Sequence, residues 1–188
     1  MTPPRPTTAP PPRDARDPVR VRLMRAADVP PVARIERAAF GAEAWPRGAF
    51  AYLGEVFAAS VPARGQLWVA EGRDGRILGY AGIELSALGG EADIINVAVN
   101  PAHRRRGVGR QLLTAATAYA RRRGVTLLWL RVRAGNRGAR AFYRQCGFRT
   151  IGRFRDYYDD PREDAVLLAL TPRVRRRAGP GPSSGEGR

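Results

Sequence analysis

One short segment of the chain combines residue types that could bind an anion. Residues 103–109 read HRRRGVG, after an apolar run that ends at Val99 and before a segment with helical apolar spacing. Glycines at a strand-to-helix connection let a ligand approach the backbone, and the first N–H groups of a helix have no partners within it. Such amides bind phosphate oxygens. The segment therefore predicts a phosphate-binding loop, and a glycine turn with solvated arginines is the alternative.

Two widespread phosphate-binding patterns do not fit this loop. A P-loop requires a lysine, and all 33 cationic residues of this chain are arginine. The dinucleotide-binding pattern G-x-G-x-x-G is met at Gly107 and Gly109, but Leu112 occupies the third glycine position. The next predicted strand also lacks a terminal acidic residue that could bind a ribose. A third pattern, R/Q-x-x-G-x-G/A, is satisfied by residues 104–109.

The segments around the loop alternate between strand and helix patterns. Period-two alternation or continuous apolar character predicts strands over residues 19–24, 66–71, 76–85, 92–99, 126–132, 148–158 and 164–170. Apolar residues at helical spacing predict helices in the longer intervals, with Asp28 and Asn136 as N-caps and Gly124 and Gly147 as terminators. This order predicts one mixed α/β domain with helices flanking a central sheet.

Composition restricts the compartment and the partners. The formal charge is +16, and most of it lies in the predicted domain, residues 19–170, between a proline-rich tail (1–18) and a basic tail (171–188) that we expect to be disordered. This charge favours phosphate-bearing cofactors, RNA or ribonucleoprotein surfaces, and a solvated arginine-rich surface is the alternative. One cysteine excludes an internal disulfide, and no secretory signal or apolar membrane span occurs. We expect a cytoplasmic protein without a membrane partner.

Three blocks of the chain are similar, in order, to the GNAT superfamily of N-acetyltransferases, and particularly to its RimI-type branch. The blocks are EADIINVAVNPAHRRRGVGRQLL, LLWLRVRAGNRGARAFYRQCGF and YYDDPREDAVLLAL, and the resemblance extends over residues 19–170. It implies a mostly antiparallel α/β sheet that splays between strands 92–99 and 126–132. It also implies acetyl-CoA as co-substrate. For RimI-type enzymes, the acceptor is the N-terminal alanine amine of a small-subunit ribosomal protein.

The resemblance also assigns the residues that bind acetyl-CoA. The backbone of Val97, Ala98 and Val99 is expected to pair with the pantetheine like an added strand. The residues expected at the pyrophosphate are Arg104, Arg105, Arg106, Gly107, Val108, Gly109 and Arg110. Asn136 matches a family asparagine that contacts CoA, a role that can coexist with capping a helix.

An acid and a base complete the chemistry that the resemblance implies. Tyr143 matches the family tyrosine whose hydroxyl protonates the departing thiolate. RimI-type enzymes carry their base, a glutamate, directly after the LWL run, and Arg131 stands there. A guanidinium cannot accept a proton near neutral pH. Asp93, at the position where other GNAT branches carry a base, and Glu91 are the candidate replacements, although each could be an ordinary strand-edge carboxylate.

Four residues are expected on the acceptor side. Tyr157 and Tyr158 match a family loop near the peptide entrance, and Trp45 matches the substrate-side helical region; internal packing is the alternative for these aromatic residues. Arg131 could pair with an acidic substrate side chain. No metal site is expected, because His103 is the only histidine.

The function expected from these residues is acetyl transfer to a primary amine by direct attack through a tetrahedral intermediate. The acceptor would be a protein N-terminus, with nucleic-acid contact only indirectly, through a ribosome or the basic tails. Two alternatives stay open. One is a GNAT enzyme for a small-molecule amine, which the excess positive charge mildly opposes for polycationic amines. The other is a non-catalytic acyl-CoA-binding module that has lost its base at Arg131.

Overall fold

The computed structural model describes residues 19–60 and 63–172, so nearly all of both predicted tails lies outside the described residues. The strands are β1 (Arg20–Leu23), β2 (Gly65–Glu71), β3 (Ile77–Leu85), β4 (Glu91–Val99), β5 (Leu127–Arg133), β6 (Arg149–Asp159) and β7 (Arg162–Leu170). The α-helices are α1 (Val29–Phe40), α2 (Arg47–Ala59), α3 (Val108–Arg122) and α4 (Arg137–Gln145). No helix among these residues is long and apolar enough to cross a membrane.

The sheet opens between its two central strands. The strand order is β1-β2-β3-β4-β5-β7-β6, and among the described strands only β4 and β5 pair in parallel. Their pairing is confined to Glu91–Asp93 against Leu127–Trp129, although β4 continues to Val99 and β5 to Arg133. We call the opening between residues 94–99 and 130–133 the fork. The predicted α/β fold, a mostly antiparallel sheet splayed at this point, is confirmed.

A β-bulge in β4 changes which sheet face its side chains occupy. Asp93 pairs with Glu84 and Asn96 pairs with Gly82, so three steps along β4 match two steps along β3. Such an extra residue reverses the alternation of side chains beyond it. Ile94 accordingly packs in the cluster that α3 covers, whereas Ala98 packs in the cluster that α1 and α2 cover. The part of β4 that borders the fork thus turns Asn96 and Ala98 toward α1.

The helix ends follow the predicted rules with one exception. The Asn136 side chain accepts a hydrogen bond from the Ala139 N–H (3.0 Å), which confirms this N-cap. Asp28 precedes α1, but its carboxylate does not cap that helix. The second and third residues of α1 are prolines, which have no N–H to donate. Asp28 accepts instead from the Arg25 N–H (2.7 Å) and pairs with Arg22 (2.6 Å).

Candidate active site

The predicted phosphate loop connects the carboxyl end of β4 to α3. Gly107 directly precedes α3 with φ of +85°, a conformation that glycine adopts without steric cost. The first backbone hydrogen bond of α3 runs from the Gln111 N–H to the Gly107 carbonyl (3.1 Å). The N–H groups of residues 108–110 precede this bond and are therefore available to an anion at the helix start.

Gly109 has a different physical role from Gly107. A Cβ atom at Gly109 would lie 3.1 Å from Cζ of Phe142 and 3.5 Å from Cγ2 of Val99. The contact with Val99 is an ordinary one, but the Phe142 ring would have to shift by a few tenths of an ångström to admit a Cβ atom. Gly109 therefore allows the first turn of α3 to approach α4, the helix that carries Tyr143.

The four arginines of the loop are exposed. The Arg104 Nε donates to the Val99 carbonyl (3.3 Å), and Arg110 donates to the Gln145 carbonyl (3.4 Å). Within the described part of the chain, none of Arg104, Arg105, Arg106 and Arg110 forms a salt bridge. Their charge is thus uncompensated by carboxylates and is available to a phosphate.

The edge of β4 that faces the fork is open where the pantetheine was predicted to bind. Val97, Ala98 and Val99 pair with β3 along one edge, opposite Ala81, Tyr80 and Gly79. Pairing with β5 along the other edge ends at Asp93. An amide-containing chain could therefore add to this second edge as a strand does.

Tyr143 lies on α4, packed against aromatic neighbours. Its ring is 5.3 Å from the Phe142 ring and 5.8 Å from the Phe148 ring, centroid to centroid. Burial raises the pKa of the Tyr143 phenol above its ordinary value, and the neighbouring Cys146 and Tyr158 raise it further. The hydroxyl therefore stays protonated across the neutral range, as a proton donor must.

Arg131 and Asp93 form an ion pair at the base of the fork. The Arg131 guanidinium donates to Asp93 Oδ2 (2.8 Å) and to the Tyr157 hydroxyl (2.7 Å), and it stacks 4.9 Å from the Trp129 ring. Burial raises the pKa of Asp93, while the charge and hydrogen bond of Arg131 oppose the rise. Glu91 is exposed at the beginning of β4, before the strands diverge.

A second arginine of β5 connects the segments around the acceptor side. Arg133 pairs with Glu43 from the α1–α2 connection and with Glu163 of β7 (3.2 Å), and its guanidinium lies 4.1 Å from the Tyr158 ring. The Trp45 ring packs 5.8 Å from Phe50. Sequence reasoning missed Arg133, because its partners are distant in the chain and no local pattern marks them.

Sequence reasoning also missed Glu36, the most buried carboxylate among the described residues. Glu36 is 1% exposed and accepts hydrogen bonds from Tyr80, Asn96 and the Trp45 N–H. A signal was present: Glu36 lies four residues after Val32, in the apolar stripe that faces the sheet. A charged residue in such a stripe must find polar partners inside the fold.

The described residues contain no group of three or more His, Cys, Asp or Glu side chains placed to hold a metal ion.

The sequence of the chain matches a known family. The family model described as "Acetyltransferase (GNAT) family" matches residues 29–148. The chain belongs to this family.

Individual GNAT relatives are similar over different lengths. The ribosomal protein bS18-alanine N-acetyltransferase of Escherichia coli (strain K12) is 45% identical over 82 residues, 43% of this chain and 55% of the relative. Streptothricin acetyltransferase of Streptomyces lavendulae is 38% identical over 99 residues, 53% of this chain and 52% of the relative. The chain thus spans about half the length of these curated relatives.

The likeness to solved GNAT structures is more extensive. The crystal structure of the ribosomal-protein-S18-alanine N-acetyltransferase from Escherichia coli aligns with a TM-score of 0.70 and 31% identity. The alignment covers 87% of this chain and 97% of that structure. Ard1 from Thermoplasma volcanium aligns with a TM-score of 0.71 at 24% identity, which shows the shared fold.

Proposed function

We propose that this GNAT protein transfers the acetyl group of acetyl-CoA to the N-terminal α-amine of an alanine-starting protein, and that its natural acceptor is a ribosomal protein in the cytoplasm. The observation that carries the proposal is the fork itself. Its open side has a free strand edge, and β4 leads from it to a helix start preceded by a glycine with positive φ. The protonated hydroxyl of Tyr143, on α4, would complete the site. The similarity to the bS18-alanine N-acetyltransferase supports the choice of acceptor.

The residues of β4 and α3 would bind acetyl-CoA, which supplies the thioester-activated acetyl group. The backbone of residues 97–99 would bind the pantetheine amides, since this edge of β4 has no strand beside it. The N–H groups of residues 108–110 would bind the pyrophosphate, with the exposed arginines of the loop neutralising its charge. Asn136 would contact CoA from the start of α4 while it caps that helix.

Tyr143 and Asp93 would move the protons. As the amine attacks, a C–N bond forms and the C–S bond breaks, so the amine must lose a proton and the thiolate must gain one. The protonated Tyr143 hydroxyl would supply the thiolate proton. Asp93, whose pKa burial raises, would accept the amine proton directly or through one water. Glu91 is the second candidate base, and its exposed position favours a merely peripheral role.

The aromatic residues near the fork would form the walls of the acceptor site. Tyr157 and Tyr158 are held beside β5 by Arg131 and Arg133, so the hairpin they belong to is fixed against the fork. Trp45 would contribute from the α1–α2 connection. Since Arg131 already pairs with Asp93, an acidic substrate side chain would have to compete with that carboxylate for it.

A second candidate function is acetylation of a small-molecule amine. The sequence similarity to streptothricin acetyltransferase, over 99 residues against 82 for the bS18-alanine enzyme, favours it. The same fork and proton-transfer residues would act, and only the acceptor walls would serve a different ligand.

Thiol release from acetyl-CoA across a panel of acceptors tests these functions. The panel contains peptides that differ in their first residue and a set of free amines, and the Arg131→Glu variant is assayed beside the wild-type protein. Turnover restricted to alanine-starting peptides supports the first function, and turnover with free amines alone supports the second. Tight acetyl-CoA binding with no release from any acceptor would contradict both and favour a binding module. Activity that appears only in Arg131→Glu would contradict Asp93 as the base.

A further inference from the structure

Glu36 is a buried carboxylate to which the proposed reaction assigns no part. It lies on the sheet-facing side of α1 and is 1% exposed. The chain has 33 arginines, yet within residues 19–60 and 63–172 no cation lies within salt-bridge distance of Glu36. A buried charge is costly unless hydrogen bonds compensate it. The hydrogen bonds from its uncharged partners therefore contribute more to compensating its burial than they would for a carboxylate on the surface.

Three groups donate hydrogen bonds to this carboxylate. They are the Trp45 backbone N–H (3.0 Å to Oε1), the Tyr80 hydroxyl, and the Asn96 side-chain amide (3.2 Å to Oε1 and 3.4 Å to Oε2). All of these hydrogen bonds run from a donor of the partner to an oxygen of Glu36, so each partner turns a donor toward the carboxyl group. For an asparagine this requirement decides which way the amide faces. Nδ2 must point at Glu36, and Oδ1 must point away from it.

Asn96 lies on the part of β4 that borders the fork. Asn96 lies three residues beyond Asp93, where β4 has already separated from β5. The β-bulge before it turns its side chain to the α1 side of the sheet, where Glu36 lies. The side chain is half-buried. Among the described residues its hydrogen bonds run only from Nδ2 to Glu36, so Oδ1 is an unused acceptor on a residue that borders the fork.

We propose that Asn96 Oδ1 binds an N–H of the incoming amine and that Glu36 is the positioning residue that orients this amide. The inference rests on the proposed function, since it requires an amine in the fork. A neutral primary amine has two N–H bonds. One proton leaves to the base as the C–N bond forms and the C–S bond breaks, and the other N–H can remain hydrogen-bonded to Asn96 throughout and persists in the amide product.

This arrangement predicts a substrate class. A secondary amine, such as an N-terminal proline or N-methylated alanine, has one N–H in its neutral form, and the base must remove that proton. A hydroxyl acceptor likewise has only one hydrogen, which the base must remove. Neither can satisfy Asn96 and the base at the same time, so the site selects primary amines. The selection depends on Glu36, because a glutamine at this position can accept and donate and would no longer fix the amide of Asn96.

The test compares two peptides that differ in one methyl group, an alanine-starting peptide and its N-methylalanine counterpart. We expect Asn96→Ala to lower kcat/KM for the alanine peptide about tenfold, the value of one hydrogen bond of ordinary strength, and to leave the N-methyl peptide unchanged. Glu36→Gln should also lower kcat/KM for the alanine peptide more than for the N-methyl peptide. In the Glu36→Gln/Asn96→Ala double variant, the loss of kcat/KM should be no larger than in Asn96→Ala alone. Acetyl-CoA affinity should stay constant, and Glu55→Gln, an exposed substitution on α2, serves as the charge-matched control.

An equal loss on both peptides, or independent losses in the double variant, would overturn the proposal and indicate a structural role. A second measurement separates it from the proposed function. Alanine amide is titrated into the CoA-saturated wild-type protein while the side-chain ¹⁵N–H₂ signals of Asn96, assigned with Asn96→Ala, are followed by NMR. A saturable shift supports the inference even if no peptide is acetylated. Unchanged Asn96 signals would refute it even if peptides are acetylated.

Discussion

The two arms of the fork are held by different kinds of interaction. The arm that we propose binds acetyl-CoA, β4 with residues 103–110 (the cofactor arm), presents backbone groups and contains glycines that its conformation and close packing use. The acceptor arm, β5 with the β6–β7 hairpin, depends on ion pairs between side chains far apart in sequence, Arg131–Asp93 and Arg133–Glu43. Backbone groups bind the invariant parts of a co-substrate, whatever the surrounding side chains are. The residues of such ion pairs can be substituted without disturbing the hydrogen bonds of the sheet. We therefore expect specificity for the acceptor to change through substitutions in the acceptor arm.

The largest effect is expected at Tyr143, on α4. Tyr143→Phe removes the proton donor for the thiolate and should lower kcat by about 10²- to 10³-fold, the usual contribution of a positioned acid. Acetyl-CoA affinity, measured by calorimetry, should not change. Tyr119→Phe is the matched control, because its buried hydroxyl has no hydrogen-bond partner among the described residues. An unchanged kcat in Tyr143→Phe would remove this residue from the mechanism.

A glycine pair on α3 tests whether the cofactor arm acts through its backbone. Gly107 and Gly124 flank the two ends of this helix, with φ of +85° and +74°, and a Cβ atom at either residue would meet no side chain within 4 Å. Alanine at either residue should cost about 1–2 kcal/mol of stability through strain. Only Gly107→Ala should also weaken acetyl-CoA binding, by about tenfold, because relieving its strain turns the amides of residues 108–110. Equal affinities of the two variants for acetyl-CoA would contradict binding of its pyrophosphate by the backbone amides of residues 108–110.

The acceptor arm should respond to charge through its pH profile. Arg131→Gln removes the cation that opposes the raised pKa of Asp93, so this pKa should rise further. A base is active when deprotonated, and activity is lost as the pH falls through its pKa. The acid limb of kcat/KM should therefore move to higher pH. Arg133→Gln, on the same strand, should leave the limb in place, and an unmoved limb in Arg131→Gln would exclude Asp93 as the base.

The smallest effect concerns the stability of the acceptor arm. Arg133→Met breaks the pairs with Glu43 and Glu163, which are partly exposed, so Tm should fall modestly and the difference should shrink at high salt. Arg76→Met, which breaks an exposed pair with Asp74, should not change Tm. Thermal melts at two ionic strengths measure both changes in Tm. An equal fall in Tm in both variants would show that partial burial of the Arg133 ion pairs adds nothing to the stability of the fold.

The contrast between the arms also explains what could be predicted from the sequence. The placement of the strands and helices along the chain and the Asn136 cap were predictable, because periodicity and short-range capping are local properties of the chain. The splay of the sheet was expected only from the resemblance to GNAT enzymes. The Asp28 cap was predicted wrongly, because Pro30 and Pro31 have no N–H groups for its carboxylate to cap. Arg131 was recognised as a departure from the family, but its partner Asp93 is 38 residues away, and only the fold brings the two together. Glu36 depends on three elements at once, so its partners could not be found along the chain.

The single extra residue in β4 has an evolutionary consequence. Ala92 and Ile94 pack on the α3 side before the bulge, whereas Ala98, also an even number of residues along the strand, packs on the α1 side after it, so the number of residues in β4 is constrained. Deleting Ile94 or Ile95 would swap the inward and outward sets of every position up to Val99. Related sequences should therefore differ in length in the connections that flank this strand, but they should have few insertions or deletions within it.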